Sequence, residues 1–237
     1  MIMIKELNFL LRKMLSLVIA ESALELIPKK ILGHPSVRNQ ATRTGRNPDG
    51  LLLDRSIHHS AMIGLKNAER RGRPDLIHIS LLTVVSTPIY TQNMARVYLH
   101  TIDDKVISLG NQVRLPKSYD RFESLMSHLF REGIVESGEK QLLSIEEMNF
   151  RDLIGEIAAE KVICLSSVGR MSDAEMVIDD VLMHDNVVIV IGGFPRGHFS
   201  RNVLDNADAI YSIQRTGLEA HVVCSRILYE YEKKMKI

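Results

Sequence analysis

Three groups of residues in this chain of 237 have types and spacing suited to chemistry. The first is a set of glycines. Gly192, Gly193 and Gly197 fall within six positions, directly after Val187-Val188-Ile189-Val190-Ile191. An unbroken β-branched run predicts a strand buried on both faces, as in a parallel sheet. Glycine tolerates φ > 0 and admits a ligand or a second backbone, and α/β sheets take ligands just beyond such strands. The spacing is neither G-x-G-x-x-G nor G-x-x-x-x-G-K-[ST], so the loop reads equally as a ligand loop or a tight turn.

The second group is Arg73-Pro74-Asp75. Proline suits the first turn of a helix, and Asp75 there complements the helix dipole. Arg73, just outside, can be forked by Asp75 or presented to a phosphate. The third group is Arg114, Lys117 and Arg121, which crowd onto the start of another helix. Cations oppose the dipole at that end unless an anionic ligand or partner faces them.

Positioning these groups needs a folded scaffold, and the composition supplies one. Hydrophobic residues make up 45% and charged residues 25%, ordinary values for a globular chain of one large or two small domains. No apolar run reaches membrane-span length and no leader pattern opens the chain, so a cytoplasmic protein without membrane attachment is expected. Cys164 and Cys224 sit in apolar segments and read as buried free thiols. His58 and His59 are adjacent, so on a helix they diverge and cannot share a metal. His78, His100 and His198 are candidate bases, although a histidine on a helix face or strand is more often structural.

The net charge of +1 hides a segregation. Over residues 29–73, ten Lys/Arg stand against three Asp/Glu, a local +7; over residues 132–185, four stand against thirteen, a local −9. Such sorting suits one basic face turned to a polyanion, with a solvated loop as the plainer reading. Aromatics are too few and too separate from the cations for a base-stacking platform.

The elements read as α/β. A first strand spans 14–20, a helical turn follows over 21–27, and 29–50 reads as a long basic loop. Residues 51–53 form a brief strand, and Asp54 or Ser56 caps a helix carrying Ile57, Ala61, Ile63 and Leu65. A helix runs from Pro74 to about Ser86, and a hairpin joins 96–101 to 105–109. Ser118 caps a helix with Phe122, Leu125, Met126 and Leu129 facing inward. A strand in a hairpin covers 141–145, another strand covers 161–165, and Ser172 with Glu175 forms a capping box for a helix to 182. The last strand covers 208–213 and a closing helix 218–234. Three loops, 165–169, 192–197 and 213–218, thus follow buried strands, where backbone groups can bind an adenine edge and a ribose.

Several motifs in order give the chain a family resemblance. R-G-R-P-D-x-x-H-x-S-L-L at 71–82, V-Y-L-H-T at 97–101, R-L-P-K-x-Y-D-R-F at 114–122 and D-R-S-I-H at 54–58 join the glycine loop. Together they resemble the ribosome-biogenesis pseudouridine N1-specific methyltransferases of the SPOUT class. The resemblance implies a trefoil-knotted parallel sheet flanked by helices, with residues 1–237 as one domain. That domain would carry an RNA-facing extension at about 29–75 and a hairpin-like excursion at about 132–158. It implies S-adenosylmethionine as cofactor, held by Leu165, Ser167, Gly192, Gly197, Ile213, Gln214, Arg215, Thr216, Gly217 and Leu218. It implies methyl transfer to N1 of a pseudouridine in small-subunit ribosomal RNA, with Asp75 and Arg73 as the catalytic residues, Asp75 orienting Arg73 or taking the N1 proton. Arg73, Arg114, Lys117 and Arg121 would hold the RNA.

A homodimer through the last helix, using Ile213, Leu218, Val222, Val223 and Ile227, is expected, and ribosomal proteins are further possible partners. The chain departs from the family in having Lys117 where arginine is common. It also has Arg215-Thr216-Gly217 where eukaryotic members have Asn-Tyr-Pro, so cofactor contacts in that turn would come mainly from backbone. The competing reading is a non-catalytic ribosomal-RNA-binding assembly factor that keeps the same fold.

Overall fold

In the computed structural model, which describes residues 14–237, the β-branched run becomes β7 (Asn186–Gly192) near the middle of the sheet. It pairs in parallel with β1 (Met14–Ser22), in register from Met14 opposite Asn186 to Ala20 opposite Gly192. Residues 187–191 are at most 2% exposed, and their alternation splits them between two cores. Val187, Ile189 and Ile191 face the larger core, which holds Leu81 of α3 (Pro74–Val85), Phe122 of α5 (Tyr119–Glu132) and Leu228 of α9 (Ala220–Met235). Val188 and Val190 face the smaller one, with Phe150 and Leu153 of α6 (Phe150–Ile157). Each such side chain contributes about 1.5–3 kcal/mol by burial, which fixes this strand and the loop it ends in.

The sheet order is β4-β5-β3-β2-β1-β7-β6-β8. From β2 (Ala95–Thr101) to β8 (Ala209–Ser212), neighbours run parallel, with β6 (Lys161–Met171) between β7 and β8. In the other half, β3 (Lys105–Leu109), β5 (Lys140–Glu147) and β4 (Ile134–Ser137) pair antiparallel. The β2–β3 pair there is the hairpin expected over 96–101 and 105–109. Three residues, 102–104, join β2 to β3, which is too short for a parallel crossover. Cys164 and Cys224 are free and buried, and burial pushes both thiols up to about 12.

Local expectations fail where polar sequence conceals a small core. Residues 29–50 are no basic loop: α1 (Pro35–Thr44) begins at His34, whose Nδ1 accepts from Ser36 N at 3.2 Å, and ends at Gly45 with φ 65°. It buries Val37 and Ala41 against Ile27, Ile31, Leu51 and Met62, few enough apolar positions to escape a periodicity search. No helical turn forms over 21–27; Glu21 has φ 51°, and Leu26 bridges Leu52 antiparallel. Asp54 does cap a helix, its Oδ1 accepting from Ser56 N at 2.8 Å. That helix, α2 (Arg55–His58), lasts one turn, and Ile63 beyond it is 79% exposed. α4 (Pro88–Thr91) follows α3. Ser118 occupies the cap position of α5, but its side chain makes no capping bond. At α7 (Ala174–Val181) the capping residue is Asp173, accepting from Met176 N at 2.8 Å, and not Ser172.

Candidate active site

The parallel half of the sheet ends in a cavity of about 400 Å³, within the size range of small-molecule sites. Its walls come from the ends of β6, β7 and β8, the usual ligand position in an open α/β sheet. β6 shapes one wall through an interruption. Leu165 and Arg170 both pair with Tyr211, so residues 166–169 bulge out, and Ser166 and Ser167 reach the cavity. Gly169 permits the strand to rejoin β8: a Cβ there would stand 2.6 Å from the Tyr211 carbonyl carbon.

Of the residues expected at a cofactor site, Leu165, Ser167, Gly192, Gly197, Ile213, Gln214, Thr216, Gly217 and Leu218 all line this cavity. Arg215 lies in the same exposed turn but is not among the lining residues. The glycines have different reasons. Gly193 is required by backbone approach, since a Cβ would stand 2.8 Å from Ser22 Cα; Gly193 N donates to Ala20 O, and Ala23 N donates to Gly193 O, each at 2.8 Å. Gly197 is required by its φ of 91°. Gly217 has open space around it and neither constraint.

The cavity also draws in residues that sequence reading left out: Arg196, Glu219, Tyr211 and Leu76. Arg196 stood inside the glycine loop as the one available signal. Glu219 precedes the closing helix and carried none. Tyr211 donates from its hydroxyl to Asp180 Oδ2 at 2.9 Å and receives Arg170 Nη2 at 3.3 Å. Of the three histidines, His198 lines the cavity. His78 stacks on Phe122 at 4.4 Å with its Nε2 2.7 Å from Pro116 O. His100 is 2% exposed, with Nδ1 accepting from Glu21 N and Nε2 3.0 Å from Asp104 Oδ1. Both are occupied in holding the fold.

Arg73 and Asp75 stand at the start of α3, just before the cavity residue Leu76. Arg73 Nε donates to Asp75 Oδ1 at 2.7 Å and Nη2 to Oδ2 at 2.9 Å, a bidentate fork. Burial pushes the Asp75 carboxyl up, but hydrogen bonds and charge from Arg73, with the Leu76 N–H, outweigh it and hold the group below its ordinary range. At Arg73, the Asp75 hydrogen bond raises the pKa above its ordinary value against burial, and the charge of the cavity residue Glu219 adds to the rise.

The segment that carries Arg114, Lys117 and Arg121 runs back along α3. Arg114 and Lys117 line a second cavity of about 740 Å³ with Leu82, Val85 and Ser86, and Pro116 meets His78 one turn into the helix. Tyr119 then donates to Asp54 Oδ2 at 2.7 Å. Burial, reinforced by that hydrogen bond and the neighbouring carboxylates of Asp54, Glu123 and Asp75, keeps the phenol protonated well beyond its ordinary range. Arg121 is exposed on the first turn of α5. Arg73 thus stands at the N-terminal end of α3, Arg114 and Lys117 beside its C-terminal end, and Arg121 on α5.

Comparison with known proteins gives the family. The EMG1/NEP1 methyltransferase family model matches residues 17–232. This chain belongs to the EMG1/NEP1 methyltransferase family. Two relatives carry the name ribosomal RNA small subunit methyltransferase Nep1. The Methanothrix thermoacetophila protein is 40% identical over 219 residues, covering 92% of this chain and 96% of its own. The Pyrobaculum arsenaticum protein is 40% identical over 216 residues, covering 90% and 95%. The crystal structure of Archaeoglobus fulgidus Nep1 bound to S-adenosylhomocysteine superposes with a TM-score of 0.84 at 34% identity, covering 94% of this chain and 99% of that one. An EMG1/NEP1 member therefore accounts for an α/β sheet whose parallel half ends in a ligand-sized cavity.

Proposed function

We propose that this chain uses S-adenosylmethionine to methylate N1 of a pseudouridine in small-subunit ribosomal RNA, as a step in small-subunit biogenesis. One observation carries the reading: nine of ten residues expected to hold the cofactor line one cavity at the ends of β6, β7 and β8. The donor set fits such a molecule. The walls mix glycines, serines and apolar side chains with the carboxylate Glu219 and the cation Arg196. A relative of known structure holds the demethylated form of the same cofactor.

S-adenosylmethionine supplies an electrophilic methyl group. The chain's own residues then align the acceptor and exclude water. Transfer would join N1 to the methyl carbon as the carbon–sulfur bond breaks, with S-adenosylhomocysteine leaving and the N1 proton passing to solvent. Both Asp75 oxygens are engaged by Arg73, so Asp75 serves to orient that guanidinium. Arg73, Arg114, Lys117 and Arg121 hold the RNA, phosphate by phosphate, and Arg73 brings that grip to the cavity mouth. Residues 29–75 act as the RNA-facing extension, and the +7 charge over 29–73 supports it.

Two further features belong to this reading. The sheet carries the SPOUT trefoil knot, and two copies pair through α9. Ile227, expected on that interface, is instead fully buried within its own chain, leaving Leu218, Val222 and Val223 partly exposed and Tyr229 63% exposed for pairing.

The test is mass spectrometry of a small-subunit RNA hairpin, with and without pseudouridine, after incubation with isotopically labelled cofactor. One methyl group on the pseudouridine hairpin alone is expected. Transfer to the uridine hairpin would overturn the acceptor assignment. RNA binding with no transfer to either would favour a non-catalytic assembly factor.

A further inference from the structure

Residues 194–199 form most of the loop wall of the cofactor cavity, yet among the described residues they make no backbone–backbone hydrogen bond. Their position must come from side chains packed behind them. Glu21 stands there, 7% exposed and held at φ 51°, a conformation that a non-glycine residue keeps only where its surroundings fix it. Its carboxylate accepts from Ser200 N at 3.1 and 3.2 Å, at the far end of the loop, and from Arg70 Nη2 at 2.5 Å.

Arg70 completes the arrangement. Its guanidinium carbon lies 4.1 Å from the centroid of the Phe194 ring, and Phe194 meets Phe199 edge-on at 5.4 Å. Its Cδ is the nearest atom, at 3.9 Å, to the place a Gly197 Cβ would take. The side chain is only 14% exposed, so it is not offered to a phosphate. Its Nε is buried without a hydrogen-bond partner among the described residues. The guanidinium is therefore placed by Glu21 along one edge and Phe194 across its face, at the expense of one donor.

We propose that Arg70 is a positioning residue for methyl transfer: with Glu21 it clamps residues 194–200 so that Phe194, Gly197 and Phe199 stand at cofactor-binding distance. The inference rests on the assignment of the cavity to S-adenosylmethionine. Arg70 touches neither reacting atom. It acts through the loop, three residues before the arginine that faces the acceptor.

The full-length chain is titrated with S-adenosylhomocysteine by calorimetry, and steady-state methylation of the pseudouridine hairpin is measured for wild type, Arg70→Gln and Arg70→Lys. Arg70→Gln is expected to weaken binding of S-adenosylhomocysteine about 10-fold, the scale of one charge-assisted hydrogen bond, and to raise the cofactor KM equally. The KM for RNA should stay within about two-fold, a split that general destabilisation would not produce. Arg70→Lys keeps the ion pair but loses the planar face over Phe194, so a smaller loss of about 3-fold is expected. Wild-type affinity in folded Arg70→Gln overturns the clamp. If that variant does not fold, wild-type affinity in Arg70→Lys overturns it. Failure of the wild-type chain to bind S-adenosylhomocysteine would instead overturn the cofactor assignment.

Discussion

Arg73 and Asp75 form a two-point fork, 2.7 and 2.9 Å, across the first turn of α3. Removing the carboxylate frees the guanidinium without removing its charge. Asp75→Ala is therefore expected to lower methylation about 10-fold or more, through misplacement, while leaving the salt dependence of RNA binding unchanged. Wild-type turnover in this variant would rule out the orienting role.

The same pair sets a dependence on pH. Asp75 has a folded pKa below its ordinary value, so its contribution to stability is full above the unfolded carboxylate pKa of about 3.9. That contribution is lost as pH falls through the lower folded value. Because Asp75 is half exposed, the effect is expected to stay under about 1 kcal/mol. Unfolding midpoints of wild type and Asp75→Asn, compared at pH 6 and near pH 2, should differ at the higher pH and converge at the lower. A difference that persists in acid would contradict the assignment.

Arg121 is exposed and is bound to no carboxylate in the ion pairs of the described residues. As a phosphate contact it contributes through counterion release. Arg121→Ala should flatten the slope of log affinity against log salt by about 1 and leave cofactor affinity alone. Normal RNA binding across the salt range would reduce it to a solvated surface residue.

The glycines should separate by cause. Gly193→Ala places a methyl against the backbone of β1 and is expected to cost on the order of 1–3 kcal/mol of stability. Gly197→Val forces a branched residue to φ 91° and should abolish cofactor binding in a folded protein. Gly217→Ala meets no protein atom and no φ constraint and should leave stability unchanged. Calorimetry beside thermal unfolding distinguishes the three, and unchanged cofactor affinity in Gly197→Val would refute the role given to that loop.

Pairing of two copies through α9 predicts light scattering at twice the chain mass at micromolar concentration. A monomer mass with activity intact would exclude that pairing as a requirement for function.

What the sequence determined by itself was whatever neighbouring residues encode. A run of five β-branched residues reports two-sided burial, and β7 lies where that run is. Pro74 and Asp75 encode a helix start, and α3 begins there. The 213–217 turn and the loops after Leu165 and Ile191 were legible because apolar strands ended beside glycine or small polar residues. Tertiary structure decided the rest, because the deciding partners lie far apart in the chain. Residues 27–62 hold their own small core through scattered apolar positions, which no local period reveals. Glu21 meets Ser200 across 179 positions, and Arg70 meets Phe194 only because β1 and β7 end side by side. Local pattern could announce a loop able to bind; only long-range packing could say what holds it in place.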